Sequence, residues 1–595
     1  MQVIGEMRRR GVLRIAATYL VVAWLVLEVG GLLTNILELP SVTMKVLLGA
    51  LVLGFPLVVG GAWYARFGPG GISADDIALP DTESAIPGGH DGGGRLDPLP
   101  IIVGVLTLGA LIVLVITRLT SEPAKPVAAP NSTATAPAAA PSNSIAVLPF
   151  DNLSGDPNQA FFSDGMAEEL RGALAGVGGL RVAARTSSNA FRASPEGVGA
   201  VARKLGVAHI LDGSVRRSGN VVRVSAQLVD ARTGFEQWSQ TYDREVSDIF
   251  AIQTEIARTV TDALKIRLLP REAQRLGVGA TSSIAAHDAY LRGRQLFDLS
   301  GDEATYRAAL AQFDRAIAAD ARYAAAHAAR ARTLTTIASQ FLTLAEIPAA
   351  SAAALAAADR AVALAPGLAE AQSALAYVYQ ARLDLPRARV AYDRSIVLGG
   401  GDADILIRYG TFNVRAGDMA KGIAALEKAV ALDRFNPRAW KFLGLGLYNA
   451  RRYAEALPRQ REALRLSPAL QSGHAVIGDT LLMSGNAAGA RAEYLVEPQG
   501  WAKLTGLAIV ERRLGNRAAA DAALRQLIAD NGDSAIYQQA QVRAQWGEVD
   551  AALAALERAR VVGDPGLFYA RHDPLLDPVR KSPRFAALLA QLMEK

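Results

Sequence analysis

Six histidines, His90, His209, His287, His327, His474 and His572, are the side chains best suited by type to ligate a metal or to move protons near neutral pH. No two lie closer than 40 residues, so the pair one helical turn apart that a local metal site needs is absent. The chain has no cysteine, which removes disulfides, thiolate metal sites, a thiol nucleophile and a thioether-linked lipid or haem. No Gly-x-Ser-x-Gly elbow and no Gly-x4-Gly-Lys-Ser/Thr phosphate loop occurs. Asp75-Asp76 is a carboxylate pair, but it falls in a loop with no scaffold to split its two pKa values. The Gly-rich stretch 88–94 lacks the preceding strand that would turn it into a phosphate cradle, and Gly444-Leu445-Gly446 has the look of helix packing. Glu28 is the single charge inside a long apolar run. It suits a proton relay or an interhelical contact, and equally a neutral carboxyl beside Gly30-Gly31. No catalytic, cofactor-binding or metal-ligating residues are expected.

The elements around these residues point to a membrane-anchored chain. Of 595 residues 51% are hydrophobic and 20% charged, too apolar for a disordered chain and long enough for several domains. Three runs, Ile15–Leu37, Val46–Ala65 and Leu99–Thr117, are each long enough to cross a bilayer, so residues 1–120 are expected to form a membrane region with three transmembrane helices and a lipid contact. Arg8, Arg9, Arg10, Arg14, Arg66 and Arg95 fall on one side and Lys45, Arg118 and Lys125 on the other. That asymmetry predicts a cytoplasmic N-terminus, and three crossings place the remainder outside the cytoplasm, periplasmic in a bacterial inner membrane. Residues 121–143, rich in Ala and Pro, read as an extended linker. A net charge of +6 and 6% aromatics favour neither a nucleic-acid partner nor a stacking platform.

Residues 144–269 alternate short apolar strands with amphipathic helices. The predicted order is β-α-β-α-β-β-β-α: strands at Ser144–Phe150, Leu180–Ala184, His209–Val215, Val221–Val229 and Glu236–Tyr242, and helices at Phe161–Val177, Val198–Leu205 and Ile249–Lys265. The strings SIAVLPFDNLSGDPNQAFFSDGMAEEL (144–170), LRVAARTSS (180–188), LGVAHILDGSVRRSGNVVRVSAQLVDARTG (205–234) and TYDREVSDIFAIQTEIA (241–257) resemble the TolB N-terminal-like (FlgO-like) domain of bacterial membrane proteins. The resemblance implies an α/β domain set between a membrane segment and a tetratricopeptide array. Some relatives carry an adenylate or guanylate cyclase or a winged-helix domain ahead of the membrane. Only about 11 residues stand there in this sequence, so neither activity is carried over. Asp151–Pro157 and Thr186–Asn189 follow strands, where α/β domains bind ligands or partners, or else they are ordinary turns.

Residues 285–595 repeat. Small residues recur every 34 positions, at Ala376, Gly410, Gly444 and Gly478 and again at Ala388, Gly422, Ala456 and Ala490. The clearest copy, Pro437–Pro468, carries Trp440, Leu443, Gly444, Ala456, Ala463 and Pro468, which resembles the tetratricopeptide pattern. About eight units are expected to stack into an all-α solenoid, closed by a capping segment over Asp573–Leu592. Repeat geometry places Tyr377, Gln380, Arg438, Lys441, Tyr448, Asp479 and Arg512 along its groove, a set suited to an acidic or extended peptide. Lys441 fits one position of a carboxylate clamp, but Leu445 stands where the clamp needs Asn.

The expected fold is therefore multi-domain: transmembrane helices, a TolB-N-like α/β domain and an all-α tetratricopeptide solenoid. The expected function is non-enzymatic capture of a protein partner, as a scaffold or assembly factor. The alternative is a membrane-anchored sensor or signalling adaptor.

Overall fold

The computed structural model describes residues 140–192, 194–266, 278–298, 302–343 and 345–593. The three apolar runs, Glu28, Asp75-Asp76, the Gly-rich stretch and the linker to residue 139 lie outside the described residues. Residues 138–595 form one compact unit, so the α/β part and the helical array belong to a single body.

The α/β part is built on β1 (Ser144–Val147), whose four side chains are all buried. It pairs in parallel with β3 (Arg181–Val182) on one side and β4 (His209–Ser218) on the other. A strand buried from both faces must read as an unbroken apolar run, as Ile145-Ala146-Val147 does. β4, β5 (Val221–Asp230) and β6 (Glu236–Glu245) form an antiparallel meander, giving the order β3-β1-β4-β5-β6. A two-residue strand, β2 (Asp151–Asn152), pairs with β4 where the sequence predicts a turn. Helices α1 (Ala160–Ala175), α2 (Arg185–Asn189), α3 (Val198–Leu205) and α4 (Ile249–Ala263) complete it. Met166, Leu170 and Leu174 of α1 meet Ile252 and Ile256 of α4 and the sheet's Ile145, Leu211 and Val224 in one core. α3 stops at Gly206, whose φ of +71° is open to glycine at little cost.

Eight helix pairs follow among the described residues. They are α5 (Ile284–Asp298) with α6 (Glu303–Ala319), α7 (Ala324–Gln340) with α8 (Ile347–Leu364), α9 (Ala369–Ala381) with α10 (Leu385–Gly399), and α11 (Ala403–Ala416) with α12 (Met419–Leu432). Then come α13 (Pro437–Asn449) with α14 (Tyr453–Leu466), α15 (Gly473–Met483) with α16 (Ala487–Val496), α17 (Gly500–Arg513) with α18 (Arg517–Asn531), and α19 (Ile536–Gln545) with α20 (Val549–Val562).

The 34-residue pattern has a packing cause. A methyl group on Gly422 would lie 2.7 Å from the Gly410 carbonyl, and one on Gly478 would lie 2.5 Å from the Tyr494 ring. The small residues are thus where the first helix of a pair presses its backbone onto the second. Asp302, Asp384, Asp402, Asp418, Asn436 and Asn486 cap helices by accepting a first-turn N–H. Among the described residues α8 is the one helix long and apolar enough to cross a membrane, with mean hydropathy 1.3. It sits in the array, where Ala354, Ala357, Ala358 and Ala361 pack against α7 and α9 side chains such as Ala331 and Ala371. The chain closes with two 3-10 turns, Pro565–Tyr569 and Pro574–Val579, and α21 (Pro583–Met593). Phe585, Leu588 and Leu592 of α21 cover Ala540, Leu553 and Leu556 of the last pair.

Candidate binding interface of the repeat array

The turns that join one pair to the next carry the α/β part. Residues 433–436 follow α12, and the Asp433 carboxylate accepts from Ser187 N (2.8 Å) and Ser187 Oγ (2.7 Å). Ser187 Oγ in turn accepts from Phe435 N at 3.0 Å, and Ala184 N donates to Leu432 O at 2.8 Å. Phe191 meets Phe435 edge-on at 5.5 Å. Burial raises the Asp433 pKa in spite of these bonds and one from Asn436. One turn earlier in the array, a Cβ on Gly401 would collide with the Ala175 carbonyl, so α1 ends directly on that turn.

Charge reinforces the seam at its N-terminal end. Arg294 of α5 donates to Glu168 at 2.8 Å, and Arg171 and Arg185 also face that carboxylate. Burial opposes ionisation of Glu168, yet Arg171, Arg294 and Arg185 together hold its pKa down to about 2. Glu169 lies 2.6 Å from His287 Nε2. Burial disfavours the imidazolium, but Glu169 outweighs it and the His287 pKa is raised. Arg217 reaches both oxygens of Asp288, at 2.9 and 3.1 Å.

The turns inside the pairs carry the chain's C-terminal segment. Leu383 (φ 58°), Gly417 (φ 116°) and Arg451 (φ 59°) occupy equivalent left-handed positions. Arg451 pairs with Asp577 and donates to the His572 carbonyl at 3.1 Å. Phe568 stacks on Phe412 at 5.6 Å, and the Arg415 guanidinium lies 3.9 Å over the Tyr569 ring. The cap therefore reaches beyond the last pair, back to α11 and α13.

The loops and groove residues singled out from the sequence divide accordingly. Thr186–Asn189 is helix α2, and its Ser187 is spent on the seam with Asp433. Asp151–Pro157 is spent on itself and on β4: Asn152 Oδ1 accepts from Ser154 N at 3.0 Å, Asp156 Oδ1 from Asn158 N at 2.9 Å, and Ser154 Oγ from Arg217 N at 3.0 Å. Arg438 is exposed, and Lys441, one helical turn on, sends Nζ to the Gln471 carbonyl at 2.7 Å. Burial, together with Arg438 and Arg415, pushes Lys441 down to about 8. Tyr377 is half-buried beneath the Arg408 guanidinium at 5.0 Å. Gln380 accepts from Tyr392 OH at 3.0 Å and faces its own pair. Tyr448 is a correction to the groove: it is 3% exposed and lies in the core with Leu443 and Leu447, so it does not face an open surface. Asp479 accepts from Tyr494 OH at 2.7 Å and is pushed up to about 7 by burial. Arg512 lies over Trp546 at 4.8 Å and pairs with Asp521 at 3.9 Å.

Ser187 falls in a segment that the sequence marks, but Asp433, Arg294, Arg332 and Arg408 are not marked by it. The 34-residue register does stack Glu370, Asp404 and Arg438 at one level of successive helices, but it singles out none of these four.

No family model matches the chain. A curated relative, "Putative adenylate cyclase 3" of Rhizobium meliloti (strain 1021), is 41% identical over 200 residues. The match spans 33% of this chain and 34% of that protein, about a third of each. Among solved structures, a tetratricopeptide protein of Thermus thermophilus aligns over 33% of this chain and all of its own, with 22% identity and a TM-score of 0.29. Pseudomonas aeruginosa pilF covers 34% of this chain and 92% of its own, at 21% identity and a TM-score of 0.27. Human IFIT1, as a dimer, covers 58% of this chain and 78% of its own, at 12% identity and a TM-score of 0.36. The repeat fold described above stands on the chain's own helix pairs.

Proposed function

We propose that this chain is a non-enzymatic scaffold that holds a protein partner on its tetratricopeptide-type array. In this reading residues 144–269 are a TolB-N-like domain. Three N-terminal helices fix the chain in a bacterial inner membrane, with the described body on the periplasmic side. The observation that carries partner binding is the pair of cations on α13, exposed Arg438 and half-buried Lys441; Arg415, whose charge also acts on Lys441, is buried under the cap against Tyr569. Among the described residues no carboxylate lies within 4.0 Å of any of the three, although Lys441 feels Glu497 and Arg438 acts on Asp404. Two cations one helical turn apart with no carboxylate in contact suit an acidic segment of a partner. The activity in the relative's name is not assigned to this chain, because about two thirds of that protein has no counterpart in the match.

The test is crosslinking in intact cells from a photoreactive residue at Arg438, with reporter fusions at Ser142 to read the side of the membrane. Arg438→Glu with Lys441→Glu is expected to abolish the species crosslinked from a neighbouring exposed position, Arg434, at unchanged helicity. Persistence of the same species in the double variant would refute the surface. A cytoplasmic reporter signal would refute the topology alone. The seat of the α/β part on the array favours a second reading, a sensor or adaptor in which the two parts respond together.

A further inference from the structure

A cavity of about 290 Å³ lies where α1 faces α5, α7, α9 and α11. That volume is at the small end of the range for ligand pockets, and this one is unusually charged. Arg294 in its wall is already committed to Glu168. Arg332 and Arg408 are not. Among the described residues neither has a carboxylate within 4.0 Å, and each guanidinium is held over an aromatic ring, Phe297 at 4.3 Å and Tyr377 at 5.0 Å. Arg332 Nε is buried and meets no acceptor among the described residues. Burial pulls the Arg332 pKa down to about 10.

The same cavity holds the carboxylates of Glu370, Asp402 and Asp404. Asp402 accepts one bond, from Ile405 N at 2.9 Å, and no lysine or arginine lies within 4.0 Å of the three among the described residues. Burial, then the charges of Asp404 and Glu370, push Asp402 up to about 7. Burial opposes ionisation of Asp404 too, but Arg332 and Arg408, acting from beyond contact, hold its pKa down. Glu168, Glu169, Tyr290, Arg294 and Tyr323 are the other titratable groups on the wall. Two guanidinium groups with no anion in contact and three carboxylates with no cation in contact thus line one small volume.

We propose that this cavity binds a small zwitterion of the amino-acid or dipeptide class, with its carboxylate on Arg332 and Arg408 and its ammonium group against Glu370 and Asp402. A purely anionic ligand would press its charge onto three carboxylates, and a purely cationic one would meet two guanidinium groups. A zwitterion answers both, and planar guanidinium forks match a carboxylate in geometry as well as charge. The ammonium group also relieves the repulsion at Asp402, so binding near pH 6.5 expels the proton that Asp402 holds. Arg438 is not on this wall, although its charge reaches Asp404, and the variants that test the two sites are different.

The experiment is titration calorimetry on the full chain in detergent micelles. The probes are L-glutamine and L-alanyl-L-alanine, with succinate and putrescine as single-sign controls. At least one zwitterion is expected to bind at least tenfold more tightly than both controls. It should release protons at pH 6.5, read from two buffers of different ionisation enthalpy. Arg332→Met and Glu370→Gln should each weaken binding at least tenfold, the loss expected for a charge-assisted hydrogen bond. Glu370→Gln is nearly isosteric and keeps the test standing if Arg332→Met unfolds. The proposal is overturned if neither zwitterion binds at about 10 mM, a very weak affinity by any standard. It is also overturned if a single-sign control binds as tightly, or if Glu370→Gln binds unchanged.

Discussion

Replacing Gly422 by alanine tests the packing rule beneath the repeat. The added methyl carbon would lie 2.6 Å from the Val414 backbone nitrogen and 2.7 Å from the Gly410 carbonyl oxygen. Both neighbours are backbone, so neither can rotate away, and α11 and α12 must move apart. Overpacking of this kind costs about 1–3 kcal/mol, and a clash with backbone on two sides belongs at the upper end. Alanine in a helix interior returns about 1 kcal/mol relative to glycine. The net expectation is a loss of about 2 kcal/mol. Gly172 in α1 supplies the control: it is exposed, and a methyl there meets nothing within 4 Å. Gly172→Ala should therefore gain about 1 kcal/mol from the same helix term. The two variants should differ by about 3 kcal/mol, roughly 6 °C in melting temperature at the ~2 °C per kcal/mol typical of large domains. Repeat arrays can unfold in parts, so hydrogen exchange of the α11 and α12 amides should accompany the melt. If Gly422→Ala melts at or above the parent, with unchanged exchange in α11, the close approach at the small positions is not what the 34-residue pattern encodes.

Asp433→Ala should strand the Ser187 donors and weaken the seam by about 1–3 kcal/mol, read as faster exchange in α2 at constant exchange in β4 and β5; equal exchange would deny the seam its anchor. Asp479 has a folded pKa of about 7 against 3.8, so the folded state binds more protons between those values and its stability falls as pH rises from about 4 to 7. Asp479→Asn removes up to about 4 kcal/mol of that loss at about 1.36 kcal/mol per unit, so its melting advantage over the parent should grow from pH 5 to pH 8, and a constant difference would contradict it. The raised His287 pKa gives the seam a contribution present below about pH 6.5 and lost as pH rises through the folded value. Protection in α5, taken relative to the intrinsic exchange rate at each pH, should fall toward high pH in the parent and lose that dependence in His287→Gln; the same protection profile in both would rule out the Glu169 pair as its source.

The elements that repeat locally are legible in the sequence. Val198–Leu205 is a helix over the residues its spacing predicts, and Arg217–Asn220 does turn the predicted strand back on itself, through Gly219. The helix pairs follow from small residues recurring at fixed spacing, a one-dimensional signal. Fine detail at turns is not legible. Asp151-Asn152 reads as turn chemistry and also pairs with β4, because two residues are too few to show alternation. Groove residues are legible only as positions in the repeat. On the same helix, α13, Arg438 is on the surface and Tyr448 is in the core, a difference that depends on which neighbour packs over each end. The seam is invisible for a plainer reason: Ser187 and Asp433 are 246 residues apart, and a hydrogen bond across that distance leaves no periodicity in either segment.

That separation sets a schedule for synthesis. The strands and helices that hold Ser187 and Phe191 are complete well before Asp433 and Phe435 exist. At roughly 5–20 residues per second, the face that will meet the array waits on the order of 12–50 s for its platform. Through that interval Phe191 and the Ser187 donors lack their native cover, so the emerging chain presents a sticky surface to whatever is nearby. Faster elongation between codons 187 and 433 shortens the exposure, and a circular permutation that moves the platform ahead of the α/β part removes it.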